Sequence, residues 1–306
     1  MTKKQIDIII ANPIYDVVFK NLMTTSKGTN KDIASYFVGT ILGEEITDIE
    51  LLPQEYTYHT KPKKKIEAQK EVEILTLIRL DFVATIQTKN GEYKKVLIEI
   101  QKSHKPTDLL RFRTYLGEQY KQLDTIKVRE NSIEQSLPIV VIYMLGFALP
   151  EIEAIAVKAN RTYVDIICGD EIKNKSPFIE SLTHDAYFVQ VSRINRDTYL
   201  NWEKCSELKQ MLSLFEQDYF VDENFLKKYP YSITNKNIKK MVETLEYIAA
   251  DPKTRRAMQE EYWAAMNETI WENQVTTLSN EVTTLSNENA ELRRILQQAG
   301  ISIPSA

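Results

Sequence analysis

Residues 75–101 constrain the fold of this 306-residue chain more than any other stretch. Residues 75–88 are rich in β-branched and aliphatic side chains, and residues 96–101, Val-Leu-Ile-Glu-Ile-Gln, alternate apolar and polar. Lys89-Asn90-Gly91 lies between them, so the pattern predicts an antiparallel hairpin. Each strand carries an acid among apolar neighbours: Asp81 within Arg79-Leu80-Asp81-Phe82-Val83-Ala84, and Glu99 between Ile98 and Ile100. A carboxylate inside a strand core is costly unless it is paired or holds a metal. Glu99 and Gln101 are two residues apart and therefore share one face.

Whether Asp81 joins them depends on the turn. A two-residue Asn90-Gly91 turn sets Phe82 opposite Glu99 and sends Asp81 to the other face. A three-residue loop, Lys89-Asn90-Gly91, pairs Thr88 with Glu92 and puts Asp81 opposite Glu99. That loop is a type I turn followed by a left-handed residue, a position glycine suits. In this second register two carboxylates lie about 5 Å apart. Like charges at that distance need a cation. All-oxygen ligation selects a hard ion such as Mg²⁺ or Mn²⁺.

The rest of the chain supplies layers for this hairpin. Residues 12–47 read as helical, opening at Asn12-Pro13, broken by a polar stretch around Gly28, and ending at Gly43 as a C-cap. Residues 48–60 lean extended, and Lys61-Pro62-Lys63-Lys64-Lys65 reads as a solvated loop or a phosphate contact. Pro106 and Thr107 open a helix that reaches to about Lys127, with Leu109, Leu110, Tyr115, Leu116 and Leu123 as its apolar positions. Residues 137–145 form an apolar strand of the kind buried on both faces. Short strands are expected over residues 152–157, 163–167 and 187–191, and residues 203–250 turn helical. The element order implies an α/β fold with a mixed sheet flanked by helices.

Val-Thr-Thr-Leu-Ser-Asn-Glu at residues 275–281 repeats identically at 282–288. Val275, Leu278, Val282, Leu285, Asn289, Leu292 and Leu296 fall on strict a and d positions. A period of 3.5 is the signature of a coiled-coil seam. Valine at a with leucine at d favours two parallel strands, and Asn289 at an a position fixes register. A homo-oligomer, a parallel dimer through residues 271–299, is the expected assembly. Met258, Tyr262 and Met266 form a separate stripe upstream. The reading divides the chain into a domain over residues 1–200, a helical extension over 201–270 and the coiled coil over 271–299.

Composition narrows the partners. The formal net charge is −4, so any basic footprint for nucleic acid is local. Cys168 and Cys205 are too far apart for zinc spacing and read as two buried small residues in a reducing compartment. The N-terminal apolar run is short and meets Asn12-Pro13 without a cleavage site, and no stretch has the roughly 18 apolar residues a bilayer span needs. The chain reads as cytoplasmic.

Asn12-Pro13-x-x-Asp16-x-x-Phe19-Lys20, then Arg79-Leu80-Asp81, then Ile98-Glu99-Ile100-Gln101 stand in order along the chain. With Arg111, Arg113 and Tyr115 and the apolar strand at 138–147, this set resembles the PD-(D/E)XK nucleases, and within them the transposase-associated, recombination-promoting group. The resemblance covers roughly residues 12–200. It implies a restriction-endonuclease-like mixed sheet and metal-dependent hydrolysis of DNA. Asp81 and Glu99 then bind the metal, helped by the Ile100 carbonyl, and Gln101 replaces the superfamily's lysine. Glutamine orients a water but cannot act as a base. Lys102 points to the opposite face. Asp16 is a candidate further acid, and Lys20, Lys102, Arg111 and Arg113 are candidates for DNA phosphates. Of His59, His104 and His184, only His104 lies next to the motif. Two alternatives stand beside the enzyme: a non-catalytic binding module of the same fold, and structural acids paired with Arg79 or Lys102.

Overall fold

The computed structural model describes residues 8–25, 28–51, 55–60, 74–79, 82–102, 106–128, 131–199, 201–222 and 225–300. The chain forms two compact units, Met1–Arg255 and Arg256–Ala306. The first is built on a six-stranded sheet. Its strands are β1 (Ile46–Leu51), β2 (Phe82–Thr88), β3 (Tyr93–Gln101), β4 (Ile139–Leu145), β5 (Ala156–Ala159) and β6 (His184–Gln190), ordered β5-β6-β4-β3-β2-β1. Strands β3, β4 and β6 are parallel, while β1 with β2, β2 with β3 and β5 with β6 are antiparallel. The sheet is mixed and α/β, as the element order implies.

The hairpin takes the three-residue form. Strands β2 and β3 pair from Phe82–Ile98 to Gln87–Tyr93. Thr88 N then donates to Glu92 O and Gly91 N to Thr88 O, both at 2.9 Å. Gly91 has φ of 82°, the left-handed conformation in which a Cβ costs about 1–2 kcal/mol. The two-residue alternative required Phe82 to face Glu99 and is excluded.

Helices α1 (Asp16–Met23), α2 (Lys31–Leu42) and α3 (Pro106–Lys121) cover the sheet. On one face Val83, Leu97, Ile139, Val141 and Ala186 pack with Phe112 and Tyr115 of α3. On the other, Phe82 meets Phe19 of α1 edge to face at 6.2 Å, and Phe19 meets Phe37 of α2 at 5.5 Å. Strand β4 is buried between two parallel neighbours, which explains its unbroken apolar run. Three shorter and longer helices follow, α4 (Pro177–Leu182), α5 (Glu207–Leu212) and α6 (Lys236–Ala250), and then α7 (Pro252–Gln298).

Several expectations need correction. The first helix begins at Asp16, not at Asn12-Pro13, because the Asn12 side chain is buried and bonded to Gln217 at 3.0 Å. Helix α2 does end at Gly43, whose N–H donates to Gly39 O at 2.8 Å. The strand expected over residues 75–88 is divided: Ile74–Arg79 pairs with Glu55–Thr60 in a separate two-stranded sheet. Helix α3 stops at Lys121, and Asp124–Val128 is a strand paired with Asn131–Gln135. Asp124 and Ile126 turn inward there, which a continued helix could not achieve, and Leu109, Leu110 and Leu123 are exposed instead of core. Residues 163–167 are mostly turn, with only Tyr163–Val164 in a strand. The helical run expected over 203–250 is interrupted by Leu226–Tyr229, which pairs with Ile8–Ala11 and buries Ile10 and Ala11. Neither cysteine is buried: Cys168 is exposed in a turn and Cys205 is half-buried. The Lys61–65 charge run lies outside the described residues.

Helix α7 starts at a proline behind Asp251, whose carboxylate accepts from Thr254 N at 3.1 Å and Thr254 Oγ1 at 2.7 Å. Val275, Leu278, Val282, Leu285 and Leu292 are 58–64% exposed in the single chain. Met258 is buried, and Met266 is exposed. Among the described residues no helix is long and apolar enough to cross a membrane.

Candidate active site

Alternation along β3 sends Lys95, Leu97, Glu99 and Gln101 to the face that α3 covers. Glu99 sits near the end of that row and is only 2% exposed. Arg111, in the second turn of α3, donates from Nη2 to Glu99 Oε1 at 3.0 Å. The two ends of this pair differ, because 46% of the Arg111 side chain is exposed. Glu99 pairs in the ladder with Tyr143 of β4. The Tyr143 ring stacks on Phe188 at 4.8 Å, and its hydroxyl is held above the ordinary phenol range, by burial first and by the Glu99 charge second.

Gln101 closes the row and is buried. Its carbonyl accepts from Gly146 N at 2.8 Å. A Cβ at Gly146 would lie 3.1 Å from the Lys102 Cα and carbonyl oxygen, so glycine permits the ends of β3 and β4 to close beside Gln101. Lys102 faces the α1 side, as alternation requires. Its Nζ lies 3.4 Å from Asp16 Oδ1 and 5.2 Å from the Tyr15 ring centroid. The structure thus brings Glu99 to Arg111 and Lys102 to Asp16. Lys20 is half-buried on α1, Arg113 is exposed on α3, and the Ile100 side chain is buried in the opposite face.

Asp81 and His104 lie outside the described residues. Of the other histidines, His184 shares a 2.9 Å hydrogen bond with Tyr120 and has its pKa lowered by burial and then by Arg161. Among the described residues no three His, Cys, Asp or Glu side chains come together as a metal cage. Glu99 is a buried carboxylate that holds the Arg111 guanidinium.

Two pairings on this face go beyond the expected site. Arg111, a phosphate candidate by resemblance, is a counter-charge of Glu99. Lys95 pairs with Asp124 at 2.5 Å and is 1% exposed. Lys95 is in phase with Glu99, so the alternation that marked the acid marked this lysine too. No protein-family model, curated protein or solved structure matches this chain.

Proposed function

We propose that this chain is a divalent-metal-dependent deoxyribonuclease of the PD-(D/E)XK type, allied to the transposase-associated, recombination-promoting group. It is a cytoplasmic enzyme that hydrolyses phosphodiester bonds in DNA, in recombination or for a mobile element. The observation that carries the reading is Glu99: a carboxylate 2% exposed, near the end of β3, held by a cation. The three-residue turn supports it, because the register from Phe82–Ile98 to Gln87–Tyr93 is the one the reading needs. The reading further requires the ladder to run one residue on, with Asp81 beside Glu99. The mixed sheet with helices on both faces suits a restriction-endonuclease-like fold.

Each residue then has a task. Asp81, Glu99 and the Ile100 carbonyl would hold Mg²⁺ or Mn²⁺, which would supply acidification of a water and charge compensation at the leaving oxygen. Gln101 would orient the water through its amide, and its neutrality would limit the rate because no base stands at its position. Arg111, Arg113, Lys20 and Lys102 contact backbone phosphates, and Asp16, 3.4 Å from Lys102 Nζ, is a further acid of the site. Helix α7 serves as a parallel two-chain coiled coil, since its apolar seam is exposed in the single chain.

Plasmid nicking with Mg²⁺ or Mn²⁺ tests the enzyme. Wild type is expected to nick, and Glu99→Ala and Asp81→Ala to be inactive. Activity that survives both substitutions sinks the assigned site. The Glu99–Arg111 pair also favours a second reading, a binding module of the same fold whose acid is structural. DNA binding without nicking in any metal selects that module. For the coiled coil, deletion of residues 272–306 is expected to yield a monomer by light scattering, and an unchanged mass refutes it.

A further inference from the structure

We propose that the short strand Glu171–Ile172 and the apolar surface around it dock a second copy of this chain about a two-fold axis at Ile172. The face is independent of the nuclease reading. Val164, Ile166, Ile167, Ile172, Phe178 and Leu182 are 45–97% exposed. Together these side chains offer on the order of 800 Å², about one partner's share of a standard interface and more than most monomers leave open. Their positions are fixed. Tyr163–Val164 pairs with Glu171–Ile172. Asp165 N donates to Asp170 O at 2.8 Å, Gly169 N to Asp165 O at 2.7 Å, and Ile167 N to Asp165 Oδ1 at 2.8 Å. These bonds hold Ile166 and Ile167 out at the tip of the hairpin, 97% and 93% exposed. Tyr163 Oη donates to Glu180 Oε1 and Arg161 Nη2 to Glu180 Oε2 at 2.7 Å, which ties the hairpin to α4 with its Phe178 and Leu182.

Charge selects the occupant. Asp170-Glu171-Ile172-Lys173-Asn174-Lys175 is acidic in its first half and basic in its second. Turned antiparallel on itself about Ile172, it sets each Glu171 opposite the other copy's Lys173. Opposite charges in such cross-strand pairs stabilise, whereas parallel pairing in register would set like against like. The backbone agrees. The bond from Asp165 N makes Asp165 and Asp170 a hydrogen-bonded pair, so alternation makes Val164–Glu171 a non-bonded pair. The N–H and C=O of Glu171 therefore point to the side where, among the described residues, no further strand is paired. Alternation aims those of Lys173 the same way, and these are the groups that bond one another across the axis. Charges on an edge ordinarily repel a passing strand. Here a second copy matches them, so they select it. A bilayer fits the tip less well, because Asp165, Asp170 and Glu171 flank the two isoleucines and carboxylates are costly in lipid. Two-fold symmetry makes every contact twice.

The test is disulfide trapping in the full chain carrying Cys168→Ser and Cys205→Ser. A residue on the axis meets its own copy in a non-hydrogen-bonded pair, with Cα atoms about 4.5 Å apart and within disulfide reach. Under mild oxidation Ile172→Cys is expected to form a covalent dimer roughly ten-fold faster than Glu134→Cys, a control on another exposed strand. Each rate is normalised to the reaction of the same thiol with a small reagent. Any tether through the C-terminal seam is common to both variants, so it cannot produce the difference. Adding Glu171→Lys is expected to slow trapping roughly ten-fold, and adding Lys173→Glu as well to restore it, since opposite charges then meet again. An Ile172→Cys chain that dimerises no faster than Glu134→Cys overturns the proposal, and so does a charge swap that recovers nothing. If trapping fails while wild type sediments with phosphatidylcholine vesicles and Ile166→Asp with Ile167→Asp does not, the face is a membrane surface and the second copy is wrong.

Discussion

Two ion pairs lie on the same face of β3, four residues apart, and they are built differently. Lys95 and Asp124 are both sealed, at 1% and 6% exposure. Lys95 N also bonds Pro138 O at 2.9 Å, and Asp124 Oδ2 accepts from Leu137 N at 3.2 Å, so both partners are fixed on the backbone around them. Glu99 and Arg111 are 2% and 46% exposed, so only one partner is sealed. A sealed pair holds the strand Asp124–Val128 in place and has no route to exchange. A pair open on one side can change partners. The difference separates a pair sealed on both sides from one open on one side of the same strand.

The comparison can be broken by mutation. Asp124→Ala strands a buried ammonium and is expected to lower unfolding free energy by about 3–5 kcal/mol, read from denaturant midpoints. The double variant Lys95→Met with Asp124→Leu is expected to recover most of that loss, since well-packed apolar residues replace sealed pairs well. Arg111→Ala removes the guanidinium from the 2%-exposed Glu99 and is expected to cost about 3 kcal/mol. Glu99→Ala leaves a half-exposed arginine that reorients, and a loss within about 1 kcal/mol is expected. Equal losses for Asp124→Ala and Glu99→Ala would erase the distinction drawn between the pairs.

A third buried charge sharpens the comparison through pH. Lys227 is buried, donates from Nζ to the Glu216 carbonyl, and has its pKa pushed down to about 7 by burial, with Glu216 and Asp218 pulling the other way. Its folded value is below its ordinary 10.5, so between the two the unfolded chain binds more protons. Stability is therefore expected to rise as pH increases from about 7 toward 10.5, with the proton's cost fully present below pH 7. Lys227→Met is expected to flatten that rise in unfolding curves taken at several pH values. The smallest effect concerns the turn. Gly91→Ala is expected to cost about 1 kcal/mol at its positive φ, and Gly91→Asn less.

Legibility in the sequence followed the range of the physics. The hairpin was readable because glycine at Gly91 permits a left-handed turn, and turn length alone sets the register that pairs Phe82 with Ile98. The buried β4 was readable from its apolar run. The Leu226–Tyr229 strand was hidden because its partner, Ile8–Ala11, is more than 200 residues away and helical neighbours surround it. The end of α3 was misplaced because the pull on Asp124 comes from Lys95, on another strand.

The opening feature divides along the same line. By itself the sequence determined that a hairpin turns at Lys89-Asn90-Gly91 with Glu99 and Gln101 on one face, and that residues 275–296 carry a seam of period 3.5, because alternation, glycine φ and heptad spacing are local properties of the chain. Only the tertiary structure decided which cation meets Glu99. Arg111 reaches it because the α3 core residues Phe112 and Tyr115 seat that helix over Leu97, and no local pattern in the sequence encodes how two elements dock.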